Sequence, residues 1–218
     1  MKKTFIIFLL VGAMCLSGCS SSHEFDTEVS AVYVTADGVV TSADIEDFSG
    51  DNYSESELTA YVEEAVAAFN YESAGISEAY ELSDTVLPVY IDQLEVADNV
   101  ASLYLVYSSC DYYLEFNGKA YGLSYLELTS ITQIQEEYSG TSSDENEGFL
   151  SAEFVDTDGA SVDADTVISK KKLNVLITEG AATIQVDGKI KYVSSNVTVA
   201  DDYTVETPED GLCYIVFK

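Results

Sequence analysis

Three turn dipeptides, each lying between runs of apolar or alternating residues, constrain the fold of this chain more than any other feature. They are Asp37-Gly38, Asp98-Asn99 and Asp187-Gly188. Gly, Asn and Asp tolerate the positive φ angles that two-residue hairpin turns require, so each dipeptide predicts a β-hairpin. The predicted strands are residues 32–35 and 39–41, 89–96 and 100–107, and 183–193 folded about its centre.

Two helices are predicted between these hairpins. Ser54-Glu55-Ser56-Glu57 is a capping box, which satisfies free backbone N–H groups at a helix start. A shorter helix is predicted from near Ser108 to Asn117-Gly118. Residues 123–138 carry apolar side chains at near-helical spacing, but the pattern does not decide between a helix and a strand. The longer helix has one apolar stripe, formed by Leu58, Val62, Ala65, Val66 and Phe69.

The last third of the chain reads as β structure. Beyond 183–193, strands are predicted at residues 173–178, 196–199 and 212–217. We therefore predict an α+β fold, in which an N-terminal strand-hairpin and helix domain is followed by a small antiparallel β domain.

A change in charge marks the predicted boundary between these two domains. Residues 20–148 hold 27 acids and one lysine, whereas residues 149–218 hold 12 acids and six lysines. The change falls at a stretch without one apolar side chain, which is typical of a linker or long surface loop. The predicted organisation is an acidic α+β domain at 29–138, a linker at 139–148 and an antiparallel β domain at 149–218.

The N-terminus has the pattern of a bacterial lipoprotein signal. Lys2 and Lys3 precede an apolar run at 5–14 that is too short to span a bilayer. Leu16-Ser17-Gly18-Cys19 then looks like a lipobox, and a serine run follows it. We predict a lipoprotein signal peptide at 1–18 and a lipidated tether at 19–28. The alternative is an ordinary secretory signal with an incidental cysteine.

Lipidation of Cys19 would fix the location of the protein. The cysteine would carry diacylglycerol and a further acyl chain such as palmitate, and two or more chains give stable anchoring. We therefore predict an extracytoplasmic protein, lipid-anchored to the cell membrane, with the membrane as its first partner.

Composition excludes several classes of function. The chain has 39 acids, nine lysines and no arginine, for a net charge of −30, so it cannot neutralise a nucleic-acid backbone. Its one histidine, His23, falls in the predicted tether, away from any scaffold that could hold a catalytic base or a zinc ion. We predict no cofactor and no metal site.

Carboxylates remain available for chemistry. A glycan hydrolase needs only two acids at a set separation, but a chain this acidic always contains some such pair. Asp156-Thr157-Asp158-Gly159, with Asp163 and Asp165, resembles part of a calcium loop. The first ligand position would be Phe154, which cannot coordinate, and aligning Asp37-Gly38 in the same way puts Tyr33 there. This favours hairpin turns over ion sites.

Tyrosines suggest a binding surface. Each offers a flat apolar face with a polar tip, which suits contact with a protein or a glycan. The alternative is that they are half-buried strand residues. The candidates, which fall within 22 residues, are Tyr104, Tyr107, Tyr112, Tyr113, Tyr121 and Tyr125.

Two further features have open interpretations. Cys110 and Cys213 would form a disulfide in an exported protein, or would remain buried free thiols. Lys170-Lys171-Lys172 is the only basic run after the signal, and it more readily flanks a strand as a solvated edge than binds an anion.

Four segments carry a resemblance to a family. They are Ala36 to Phe48 with the capped helix that follows, Tyr112 to Gly118, and Val186 to Val197 together with Tyr214 to Lys218. They are similar to uncharacterised cell-surface lipoproteins of anaerobic gut Firmicutes. The resemblance implies a location and a type of organism, and it implies no activity.

These observations favour a non-catalytic bacterial surface lipoprotein with a binding or structural role at the cell envelope, and not an enzyme. The alternatives are a carboxylate-only glycan hydrolase and a calcium-dependent binding module.

Overall fold

The computed structural model describes residues 23–25, 27–50, 54–118, 122–140 and 147–218. These ranges form 13 strands and five helices, so the fold mixes α and β structure with β dominating. The elements, in chain order, are β1 (Ala31–Val34), β2 (Val40–Asp47), α1 (Glu55–Ala74), β3 (Val89–Ala97), β4 (Val100–Tyr107), α2 (Cys110–Asn117), β5 (Tyr125–Ser130), α3 (Ile131–Gly140), α4 (Glu147–Ser151), β6 (Phe154–Asp156), β7 (Ser161–Val162), α5 (Ala164–Ile168), β8 (Asn174–Glu179), β9 (Ala182–Val186), β10 (Ile190–Ser194), β11 (Thr198–Val199), β12 (Thr204–Thr207) and β13 (Cys213–Phe217).

The strands form two sheets. The seven-stranded sheet has the order β11-β12-β9-β1-β2-β4-β3, and the six-stranded sheet has the order β5-β8-β13-β10-β6-β7. β1 runs parallel to β9, with Val32 opposite Ile184, and the other strand pairs of the described chain are antiparallel.

Both sheets contribute to one hydrophobic core. Val34 on β1, Leu105 on β4 and Ile215 on β13 are 0–3% exposed, and they belong to the same buried cluster. Alternate residues of a strand point to opposite faces, so Tyr214 and Val216 contribute to a second cluster on the other side of the six-stranded sheet. That second cluster is covered by α3, α4 and α5.

Local signals explain where helices α1 and α2 begin. Ser54 accepts a hydrogen bond from the Glu57 N–H at the start of α1, and Ser109 accepts one from the Tyr112 N–H at the start of α2. Asn70, which is fully buried near the end of α1, donates to the Glu78 and Val89 carbonyls and accepts from the Val89 N–H. These bonds fasten α1 to the beginning of β3.

Two of the three predicted hairpins are confirmed. β1 and β2 pair around Asp37-Gly38, and β3 and β4 pair around Asp98-Asn99, whose φ angles are 52° and 64°. The ambiguous segment 123–138 forms a strand followed by a helix, β5 and α3.

The predicted hairpin at Asp187-Gly188 is wrong. β9 pairs with β1 and β12 in one sheet, whereas β10 pairs with β13 and β6 in the other, so the dipeptide connects the two sheets. A Cβ on Gly188 would lie 2.3 Å from the Lys218 carbonyl carbon. Glycine stands here because another backbone approaches closely, which is a different reason from the turn geometry that the sequence suggested.

The predicted division at 139–148 is only loosely consistent with this arrangement. β9, β11 and β12 complete the sheet begun by β1 to β4, and β5 pairs with β8 in the other sheet. Strand pairing and the shared core therefore cross the predicted boundary. The predicted signal peptide, and residues 141–146 of the predicted linker, lie outside the described residues.

Candidate binding surface

The start of the described chain is bound to the body of the protein. The His23 N–H donates to the Asp187 carbonyl at 3.0 Å, and the Tyr33 hydroxyl donates to the His23 carbonyl at 2.6 Å. The His23 ring stacks on Tyr203 with the ring centroids 4.1 Å apart, and Phe25 stacks on Tyr33 at 5.2 Å. The predicted tether 19–28 is therefore held against the seven-stranded sheet from His23 onward.

The predicted tyrosine surface is dispersed. Tyr107 and Tyr113 are 0% and 4% exposed within the shared core, where their rings make an edge-to-face contact at 5.2 Å. Tyr104 contacts Phe25 on the outer face of the seven-stranded sheet, and Tyr112 contacts Phe69 of α1. Tyr125 is 37% exposed on β5, an edge strand. Tyr121 lies outside the described residues.

The two buried tyrosines have a structural role. The Tyr107 hydroxyl accepts from Asn117 Nδ2 at 3.2 Å and lies 3.4 Å from the Ser42 hydroxyl. Burial raises the pKa of Tyr107 to about 12, because a phenolate would be poorly solvated there. Burial raises the pKa of Tyr113 as well. These rings fill the core, and their hydroxyl groups stay protonated at neutral pH.

Cys110 and Cys213 are separate free thiols. Cys110 opens α2 and is half-buried, and burial raises its pKa to about 11. Cys213 is fully buried on β13, where Asn196 Nδ2 lies 3.4 Å from its sulfur, and burial raises its pKa too. Thiols with raised pKa values are poor nucleophiles at neutral pH.

One cavity brings a carboxylate together with core hydroxyls. It measures about 250 Å³ and is lined by Ser42, Asp44, Tyr113 and Asn117 among others. Loss of hydration raises the pKa of Asp44, the single acid among the described residues that line this cavity. Glycoside hydrolysis needs a pair of carboxylates, and this cavity supplies one.

The segment that resembles part of a calcium loop forms a hairpin turn, the structure that its sequence favours. β6 and β7 pair across it, with Phe154 opposite Val162. Asp156 Oδ1 accepts hydrogen bonds from the Asp158 and Ala160 N–H groups at 3.0 and 2.9 Å. Its carboxylate therefore stabilises the turn. Over the described ranges, no group of three or more His, Cys, Asp or Glu side chains is arranged to hold a metal ion.

The most distinctive surface is a groove lined by lysines, here called the lysine groove. It is shallow and open to solvent, with a volume of about 480 Å³, and its lining contains five of the nine lysines of the chain. The lining residues are Ser169, Lys170, Lys171, Lys172, Leu173, Lys191, Tyr192 and Lys218.

Strand pairing brings these lysines together. Lys170 to Lys172 form the turn before β8, held by hydrogen bonds from the Leu173 N–H to the Lys170 carbonyl and from the Thr132 hydroxyl to the Lys171 carbonyl. The pairing of β10 with β13 shifts register between Ile190 and Tyr192, which leaves Lys191 as the extra residue of a β-bulge. A bulge redirects side chains, which explains why Lys191 and Tyr192 line the same groove.

The lysines of the groove form no ion pair with any acid that the structure describes. In the part of the chain that the structure describes, the one ion pair joins Lys189 to Asp202, outside the groove. All five lysines are exposed, and no described Asp or Glu side chain lines the groove. In a chain of net charge −30, this is a local cationic surface suited to phosphate or carboxylate groups. Lys170 to Lys172 are visible in the sequence as a run, but nothing local joins them to Lys191 and Lys218.

Compared with models of known protein families, with curated proteins and with solved structures, the chain gives no match in any of the three. The similarity to Firmicutes surface lipoproteins therefore stays a prediction. Among the described helices, none has the length and apolar character that crossing a bilayer takes. Cys19 lies outside the described residues.

Proposed function

We propose that this protein is a non-catalytic lipoprotein of the bacterial cell envelope, held outside the cytoplasm through Cys19, which binds anionic ligands in the lysine groove. The observation that carries the binding role is the convergence of five unpaired lysines on one groove of a strongly acidic protein. The anchoring rests on the lipobox Leu16-Ser17-Gly18-Cys19 and the serine run after it.

Electrostatics favours a binding role for this groove. Lysines spread over an acidic surface would be neutralised locally by neighbouring carboxylates. Five lysines without an acidic partner instead repel one another, and this repulsion falls when an anion binds between them. At 0.1 M salt the screening length is about 10 Å, so a bound anion would interact mainly with the groove and little with distant acids.

A pair of matched variants tests the binding. One variant carries Lys170→Gln, Lys171→Gln and Lys172→Gln, and the other carries Ala60→Glu, Ala68→Glu and Ser77→Glu. All six positions are exposed, and both triple changes lower the net charge by the same amount. With polyphosphate as the probe, calorimetry on residues 19–218 is expected to detect binding that the first variant loses and the second keeps. Equal loss in both would mean that net charge alone governs the binding.

Cell fractionation tests the anchoring separately. The full-length protein is expected in the membrane fraction, where it should resist washing with high salt because acyl chains hold it. Cys19→Ser is expected to move it to the soluble fraction. A Cys19→Ser protein that remains in the membrane fraction after the salt wash would show that the lipobox interpretation is wrong.

A further inference from the structure

The lysine groove is connected by a series of contacts to His23, the first residue that the structure describes. His23 stacks on Tyr203, and Lys189 Nζ lies 5.8 Å from the centroid of the same ring. The Lys218 N–H in turn donates to the Lys189 carbonyl at 3.1 Å. A short series of contacts therefore connects the docked His23 with Lys218, one of the lysines that line the groove.

The distance from this point to the predicted anchor is short. Cys19 precedes His23 by four residues, which span at most about 14 Å when fully extended. A free tether to the first strand, which begins at Ala31, would reach about three times as far and would leave the orientation of the protein open. Because His23 is bound to Asp187 and Tyr203, a membrane that holds Cys19 would lie close to this end of the molecule.

We propose that the lysine groove faces the bilayer that holds the Cys19 anchor and binds the phosphate groups of its anionic lipids. This inference rests on the proposed lipid anchoring. Lysines close to an anionic leaflet are attracted to it, whereas the acidic remainder of the surface is repelled, so the two effects select one orientation. Tyr192 in the groove suits the same position, because tyrosine is enriched at membrane interfaces.

Lysine acetylation on vesicles tests the orientation without depending on lipidation. Residues 19–218 with Cys19→Ser carry an N-terminal oligohistidine tag, which is bound by a nickel-chelating lipid. The vesicles contain either phosphatidylcholine alone or phosphatidylcholine with phosphatidylglycerol. An uncharged acetylating reagent and mass spectrometry give the rate at each lysine. We expect Lys191 and Lys218 to react about fivefold more slowly on the anionic vesicles, and concentrated NaCl to remove the difference.

The matched variants show whether the groove causes this protection. Lys170→Gln, Lys171→Gln and Lys172→Gln together are expected to abolish the slower reaction of Lys191 and Lys218. The control with Ala60→Glu, Ala68→Glu and Ser77→Glu is expected to keep it. Protection that survives in the first variant, or disappears equally from both, would overturn the inference.

Two further outcomes separate this inference from the proposed function. If polyphosphate protects the lysines and anionic vesicles do not, the groove binds a soluble or cell-wall polyanion, and the proposed orientation is wrong. If anionic vesicles protect the lysines while Cys19→Ser leaves the protein in the cellular membrane fraction, the head-group site stands and the lipid anchor does not.

Discussion

The two sheets differ in how they are covered. In the six-stranded sheet, all five residues of the central strand β13 are buried, because the shared core lies on one face and α3, α4 and α5 cover the other. In the seven-stranded sheet, β2 is also an inner strand, yet the second half of β2 is largely exposed. The outer face of this sheet is covered in part by Phe25, from the N-terminal segment.

This difference determines which residue types each sheet can accommodate along its inner strands. A strand buried on both faces needs an apolar residue at every position, and β13 reads Cys-Tyr-Ile-Val-Phe. A strand that is exposed over half of its length can carry charged residues there, and the second half of β2 reads Asp-Ile-Glu-Asp. We expect the stability of the protein to depend more on the six-stranded sheet. The N-terminal segment is able to dock on the other sheet because none of the described helices covers its outer face at Tyr33 and Tyr104.

The largest effect is expected from truncating an isoleucine on each sheet. Ile215→Ala should lower the free energy of unfolding by about 2–5 kcal/mol, because it leaves a cavity at a fully buried site. Ile45→Ala on β2, where the side chain is half-exposed, should cost less than about 1.5 kcal/mol. Urea denaturation followed by circular dichroism measures both. Equal losses would contradict the proposed difference between the sheets.

The second largest loss of stability is expected from removing the buried side-chain amide of Asn70. Asn70→Ala removes the side chain that bonds Glu78 and Val89, so buried backbone groups lose their partners. We expect a loss of about 3 kcal/mol in the free energy of unfolding. Gln93→Ala on exposed β3 is the control and should be nearly neutral. A neutral Asn70→Ala would mean that apolar contacts alone hold α1 on the seven-stranded sheet.

A pair of glycines tests the connection between the sheets. Gly188→Ala should cost about 2 kcal/mol, because its Cβ would overlap the Lys218 backbone. Gly159→Ala has no atom within 4 Å of the new Cβ and a φ of +81°, so it should cost about 1 kcal/mol from backbone strain alone. Thermal melts compare the two variants. A larger loss of stability in Gly159→Ala than in Gly188→Ala would show that the backbones at Gly188 and Lys218 can move apart to accept a Cβ.

The smallest effect concerns alkaline pH. Tyr107 has a pKa of about 12 in the fold and about 10 when unfolded, so its contribution is complete below pH 10 and is lost as the pH rises to 12. Tyr107 alone should therefore account for a fall of about 1–2 kcal/mol in the free energy of unfolding over this interval, added to that of the other buried tyrosines. Tyr107→Phe should flatten the fall, and Tyr61→Phe, at a site that is 73% exposed, should not. Denaturation at several pH values measures the slope.

Local signals predicted local structure correctly. The hairpins at Asp37-Gly38 and Asp98-Asn99 and the cap at Ser54 depend on neighbouring residues, and the sequence contains all the information they need. Asp187-Gly188 looks the same in sequence, but its geometry depends on a backbone contact with Lys218, 30 residues away. Turn chemistry cannot reveal a contact at that separation.

The candidate binding surfaces show the same limit. The tyrosines cluster in sequence, but strand alternation sends Tyr104 to the outer face and Tyr107 to the core. The lysine groove forms because β10 pairs with β13 and a bulge turns Lys191 toward Lys170 to Lys172. Register and bulges depend on long-range strand pairing. The sequence therefore reveals only one part of the groove, the basic run Lys170 to Lys172.

The parallel pairing of β1 with β9 has a consequence for biosynthesis. Val32 cannot pair with Ile184 until Ile184 has been synthesised, about 10–30 s later at ordinary rates of elongation. Until then the edge of β1 that pairs with β9 is open and able to join a strand of another chain. A chain cut off after α3 would lack both β9 and β8, the strand that pairs with β5. Folding of this protein is therefore a late event, tied to the arrival of the C-terminal strands, and the cell must keep the first half soluble until they emerge.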